Sequence, residues 1–121
     1  MHTAFNPLGV GNMAKDYIID YGSNSNGWYR KWKSGFIEQS GNNIVVGGAQ
    51  NNATTIISLP IDFTNENYQV LCNMTNKGNV IYWAQGSYRC SARSINTFYI
   101  DRYNFEGTSG DVYFNWYACG Y

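Results

Sequence analysis

The chain has 121 residues, a formal net charge of +0, 44% hydrophobic and 17% aromatic residues, and only 13% charged residues. That length predicts one domain with a modest core of its own, and the lack of a basic excess argues against a nucleic-acid surface. A small domain this rich in rings and poor in charge has apolar surface to spare, which predicts a subunit interface, a sugar-binding face, or both.

Residues 1–15 read as a lead-in, with glycines, a proline and few strongly apolar positions. Asp16 to Tyr21 is the first strand candidate, and Gly22 to Gly27 is a turn by composition. Residues 27–41 read as a β-hairpin with aromatic arms and a turn at Lys33, Ser34 and Gly35. Gly35 falls where a three-residue loop wants positive φ. That register pairs Trp32 with Phe36, Arg30 with Glu38 and Trp28 with Ser40, making a cross-strand charge pair worth at most about 1 kcal/mol. Arg30, Lys31 and Lys33 beside Trp32 mimic a nucleic-acid patch, but read better as a hairpin edge whose lysines discourage stray pairing. Residues 41–53 read as a loop or an irregular second connection.

Ala53 to Phe63 carries a strand alternation, with Thr55, Ile57, Leu59, Ile61 and Phe63 on one face. Pro60 has no N–H to donate, so it places this strand at an edge or a bulge. Tyr68, Val70, Cys72 and Met74 alternate next, followed by a turn at Lys77, Gly78 and Asn79 and a strand over Val80 to Gln85. Residues 88–93 and 97–103 give two further strands, and Asn104 to Gly110 a polar loop. Val112 to Cys119 closes the chain, with Val112, Phe114, Trp116 and Ala118 on one face. No window has an apolar stripe at helical spacing. About eight short strands at this spacing predict an all-β, antiparallel β-sandwich over residues 16–121.

Cys72, Cys90 and Cys119 are an odd, widely spaced set without a C-x-x-C pair, so zinc is not expected, and each sits in a strand-like run as a small hydrophobe. No signal peptide or bilayer-spanning run is read from the sequence.

Three motifs then occur in order: Gly27-Trp28-Tyr29-Arg30-Lys31-Trp32-Lys33-Ser34-Gly35-Phe36-Ile37-Glu38-Gln39-Ser40-Gly41; Ser58-Leu59-Pro60-Ile61-Asp62-Phe63 leading to Asn67-Tyr68-Gln69-Val70; and Phe114-Asn115-Trp116-Tyr117-Ala118-Cys119-Gly120. With Asp16 to Tyr21 they resemble the C-terminal tip domain of bacteriophage tail fibres over roughly residues 16–121. The resemblance implies a small β-sandwich that forms a homotrimer at the distal end of a fibre in the virion, assembled in the host cytoplasm. It also implies recognition of a bacterial surface glycan or outer-membrane protein. Residues 42–52 look longer and more polar than that pattern and read as a variable loop. Residues 1–15 would then be shaft remnant or linker.

Catalytic chemistry is hard to build. The one histidine, His2, lies in the lead-in, so no Ser-His-Asp arrangement is available. Asp62 with Glu66, and Asp101, Glu106 and Asp111, offer carboxylates for a polysaccharide depolymerase, but read better as solvated turns. Asp101, Asn104 and Glu106 carry oxygen ligands without the spacing of a calcium loop. No catalytic residue, metal or cofactor is expected. Receptor contact is expected at rings beside polar groups: Tyr29 on the hairpin, Tyr88 with Arg89, and Tyr103 with Arg102 and Asn104. Aromatic rings stack on the apolar faces of pyranoses, and tyrosine gives large contact area at low entropic cost. Trp28, Trp83 and Trp116 are assigned to core or interface. The alternatives are a trimerisation cap for a fibre shaft without receptor contact, and a depolymerase fragment.

Overall fold

Asn, Thr, Gly and aromatic residues favour turns and strands over helices, and the computed structural model of the chain follows that bias. It describes residues 15–46, 52–75, 86–104 and 112–121. Eight strands are present and no helix occurs among the described residues. They are β1 (Ile18–Asn24), β2 (Gly27–Trp32), β3 (Ile37–Val46), β4 (Asn52–Ser58), β5 (Gln69–Thr75), β6 (Gly86–Ala92), β7 (Thr97–Asn104) and β8 (Val112–Gly120). They form a five-stranded sheet in the order β1-β2-β3-β8-β5 and a three-stranded sheet in the order β4-β7-β6, antiparallel throughout.

The hairpin register is the expected one. Arg30 pairs with Glu38 and Trp28 with Ser40, and Trp32 N donates to Phe36 O over 2.8 Å. Gly35 has φ 95° and its N–H closes the turn onto Trp32 O at 2.9 Å. Asp16 straps the turn from outside, accepting from Ser34 N at 2.9 Å and Ser34 Oγ at 2.8 Å.

Four boundaries differ from the sequence reading. The turn expected at Gly22 to Gly27 shrinks to Ser25 and Asn26, because β1 runs on to Asn24 and pairs it with Gly27, whose φ is 137°. The loop expected over 41–53 is largely strand. β3 continues to Val46 along β8, taking an irregularity between Gly41 and Ile44, so residues 42–46 are not a variable loop. β4 starts already at Asn52. The strand expected to reach Phe63 stops at Ser58, where the chain leaves the ladder before Pro60. β4 is nonetheless an edge strand, as the proline implied. The turn at Lys77 to Asn79, the strand over Val80 to Gln85 with Trp83, and residues 1–14 and 105–111 lie outside the described residues.

The core lies between the sheets. Phe114, Trp116 and Ala118 of β8 meet Phe98 and Ile100 of β7 and Ile57 of β4, and the Phe98 and Trp116 rings are 4.9 Å apart. The segment over residues 59–68 adds Leu59, Phe63 and Tyr68, with Phe63 and Tyr68 stacked at 4.2 Å. Its backbone is held by side chains. The fully buried Gln39 amide donates to Ile61 O at 3.0 Å and accepts from Ile61 N at 2.9 Å, standing in for a missing strand. The Tyr68 hydroxyl shares its proton between Ser94 O at 2.8 Å and Thr97 O at 2.6 Å.

Candidate functional site

Strand alternation sorts the large sheet into two faces. Cross-strand pairing puts Gly22, Tyr29, Gln39, Ala118 and Val70 in one row on the inner side. The next rows face outward: Ser23, Trp28, Ser40, Tyr117 and Leu71, then Tyr21, Arg30, Glu38, Cys119 and Gln69. No described element covers this outer face, and Tyr21 and Leu71 on it are 77% and 68% exposed.

Glu38 organises the centre of that face. Oε2 accepts the Trp32 indole N–H at 2.8 Å, and Oε1 accepts the Tyr117 hydroxyl at 2.7 Å. Arg30 Nε stands 3.5 Å from Oε2, an ion pair longer than a good hydrogen bond, and its guanidinium lies 4.8 Å from the Trp28 ring centre. Burial pulls the Glu38 carboxyl upward, but the Trp32 and Tyr117 hydrogen bonds and the Arg30 charge outweigh it, leaving its pKa below 4.5. Burial, reinforced by the neighbouring carboxylate, pushes the Tyr117 hydroxyl up to about 12. One ionised carboxylate therefore fixes two rings directly and a third through arginine. This is a preorganised aromatic surface.

Beside it, a cleft of about 340 Å³ opens between the β1–β2 turn and β3. Ser23, Asn24, Asn26, Trp28, Ser40 and Asn42 are among its walls. Asn24 sets the turn: Oδ1 accepts from Asn26 N at 2.8 Å, and Nδ2 donates to Pro60 O at 3.1 Å.

The six residues singled out in the sequence do not form one cluster. Tyr29 points to the inner side of β2, and its ring fills the space above Gly22, where a side chain would meet its hydroxyl at 2.9 Å. Tyr88 and Arg89 are in strand β6, within the strand expected over 88–93. The Tyr88 and Phe114 rings meet edge to face, their centres 5.1 Å apart. Arg89 Nε donates to Asp101 Oδ2 at 2.9 Å, and Thr54 Oγ1 donates to Asp101 Oδ1 at 2.6 Å. Those bonds, with Thr54 the stronger cause, hold the Asp101 carboxyl below its ordinary value. Asp101 is thus engaged in an outer-face network on the small sheet rather than in a loop. Arg102 is 8% exposed, a buried residue where an exposed one was expected, because it shares the inward side of β7 with Phe98 and Ile100. Tyr103 and Asn104 end β7, opposite Ser87 and Gly86, and their side chains fall outside the described residues.

Trp28, Trp32 and Tyr117 were not among the expected contacts, and Trp28 had been assigned to core or interface. Parity was the available signal: Trp28 and Trp32 share a face with Arg30, whose charge belongs on an open side. Trp116 is in the core as expected, 2% exposed.

A family model described as "Putative tail fiber protein gp53-like, C-terminal" matches residues 31–121. The chain belongs to that family. The match begins inside β2 and takes in the hairpin turn, Glu38 and every later strand. Two solved structures share the fold. An N-truncated R1-type pyocin tail fiber superposes with a TM-score of 0.62 at 15% identity, covering 95% of this chain and 96% of that one. A C-terminal fragment of the R1 pyocin fiber of P. aeruginosa gives 0.62 at 14% identity, covering 88% of this chain and 28% of that one. No curated protein matches. The molecule is therefore a tail-fibre C-terminal domain, a virion-associated tail component, and the description of its family names no enzymatic activity.

Proposed function

We propose that this tail-fibre domain is a receptor-binding tip that adheres, as a homotrimer and without a chemical step, to a glycan or outer-membrane component of the bacterial surface. The observation that carries this reading is the open face of the five-stranded sheet, where Trp28, Trp32 and Tyr117 are held in place around Glu38. Rings fixed before contact lose little entropy on binding. Each protomer would bind weakly, and linked copies would convert weak contacts into attachment. On the small sheet Arg89 reaches the outer face beside Asp101, while Tyr88 lies opposite the inward-facing Arg102, and Tyr103 and Asn104 follow along the same ladder. We therefore propose Arg89 and the Tyr103–Asn104 end of β7 as the second contact region, and Tyr88 with Arg102 as its support. Tyr29 would support the large sheet from its inner side.

The test is adsorption of the purified domain to a panel of bacterial cells. Trp32→Ala or Glu38→Ala should reduce adsorption at least about tenfold with the oligomeric state unchanged. Adsorption indifferent to both would remove the face from the reading. Reducing ends released from surface polysaccharide would replace adhesion by hydrolysis.

One observation favours a trimerisation cap as the second reading. Edge strand β1 and the residue before it expose Tyr17, Ile18, Ile19 and Tyr21, a run suited to burial against another copy. A stable trimer that adsorbs to no cell would favour the cap.

A further inference from the structure

The cleft beside the β1–β2 turn has a distinct chemistry. Ser23, Trp28 and Ser40 form one cross-strand row over three adjacent strands, and Asn26 and Asn42 face the same opening. Its lining is an indole, hydroxyls and amides; no Lys, Arg, Asp or Glu contributes. The nearby Arg30 guanidinium lies 4.8 Å from the Trp28 ring centre and its Nε 3.5 Å from the Glu38 carboxylate, outside the lining. The lining itself therefore carries no charge to favour an anionic or a cationic ligand. A carbohydrate needs what is present: a ring to cover C–H groups, the Ser23 hydroxyl and the Asn26 amide to donate and accept, and the Ser40 hydroxyl, whose proton goes to Trp116 O at 2.7 Å, to accept. The walls are also set in advance, since Asn24 fixes the turn and ties it to Pro60 O. At about 340 Å³ the cleft lies near the small end of ligand sites, which run from about 300 to 1,000 Å³, so it suits a chain end rather than a long stretch of polymer.

We infer that this cleft binds an uncharged terminal pyranose of a surface glycan, stacked on Trp28 and hydrogen-bonded by Ser23, Asn26, Ser40 and Asn42. This rests on the adhesion reading and gives it a ligand class and a place.

The test is a titration of the full chain, followed by ¹H–¹⁵N NMR, with methyl glycosides of neutral hexoses and N-acetylhexosamines, and with N-acetylneuraminic acid as the anionic probe. Shifts of the Trp28 indole N–H and the Asn26 amide with at least one neutral sugar, and none with the anionic one, are expected. Trp28→Leu should weaken that response at least about tenfold, consistent with loss of one aromatic contact. Ser23→Arg, an exposed substitution that fills the opening and leaves the indole in place, should do the same while the folded spectrum persists. No response to any neutral sugar, a response mapping elsewhere, or a response unaffected by Ser23→Arg would overturn the inference. Adsorption to cells is read separately. If Ser23→Arg abolishes the sugar response but adsorbs like the parent, the cleft is not the receptor contact and adhesion stands. If sugar shifts occur in a parent chain that adsorbs to no cell, the cleft stands and adhesion falls.

Discussion

Glu38 is the residue on which the outer face turns. Its pKa is lower in the folded state than in an unfolded chain. Its stabilising contribution is therefore full above about pH 4.5 and is lost as pH falls through the folded value. Glu38→Gln should flatten that part of the acid unfolding curve, followed by circular dichroism. Glu38→Ala, which leaves the Trp32 and Tyr117 donors without their acceptor, should cost about 2–3 kcal/mol at neutral pH by urea denaturation. Tyr68 works in the opposite direction. Burial pushes its hydroxyl up to about 12, so its share of stability is whole below pH 10 and disappears as pH rises toward 12. Tyr68→Phe should lower stability by about 1–3 kcal/mol, because two carbonyls lose a donor. It should also shallow the alkaline decline, leaving the part that belongs to Tyr117. The Arg30–Glu38 pairing was legible from residues alone, since Gly35 fixes the loop length and the loop fixes the register. The hydrogen bond from Tyr117 was not, because it joins residues 79 apart in the chain.

At the level of elements, the two hairpins that share β2 impose different demands on their glycines. Gly35 has positive φ and ordinary space around it, so Gly35→Ala should cost about 1–2 kcal/mol from backbone strain alone. Gly27 has positive φ and a Cβ there would also run into the Ser40 carbonyl, which is backbone and cannot swing aside. Gly27→Ala should therefore cost roughly 3 kcal/mol or more, and thermal melts of the two variants should separate clearly. The second half of β3 shows why its extent could not be read. Gly41, Asn42 and Asn43 are poor strand formers, and the ladder is supplied by β8, a partner far along the chain. β4 shows the converse: its alternation to Leu59 and Phe63 does mark buried positions, but Pro60 cannot continue a ladder, so those side chains enter the core from an irregular segment. Arg102 could have been placed by counting from Phe98 in steps of two.

For the whole molecule, the sandwich class and the surplus of exposed rings were visible in composition and periodicity, whereas which face of each strand stays open depends on where the second sheet lands. The exposed run on β1 belongs to this scale. Ile19 is 57% and Tyr21 77% exposed at the rim of the larger sheet. Size-exclusion chromatography with light scattering should find the parent as a trimer, and Ile19→Lys with Tyr21→Lys should yield a folded monomer. A monomeric parent would count against both fibre readings. The pleat has a further consequence. In β2, β3 and β8 the residues that weld the two sheets and those that meet the outside alternate along the same backbone. Changing the outward set leaves the inward set in register, so such a surface can acquire a new target while the scaffold beneath it goes on assembling as before.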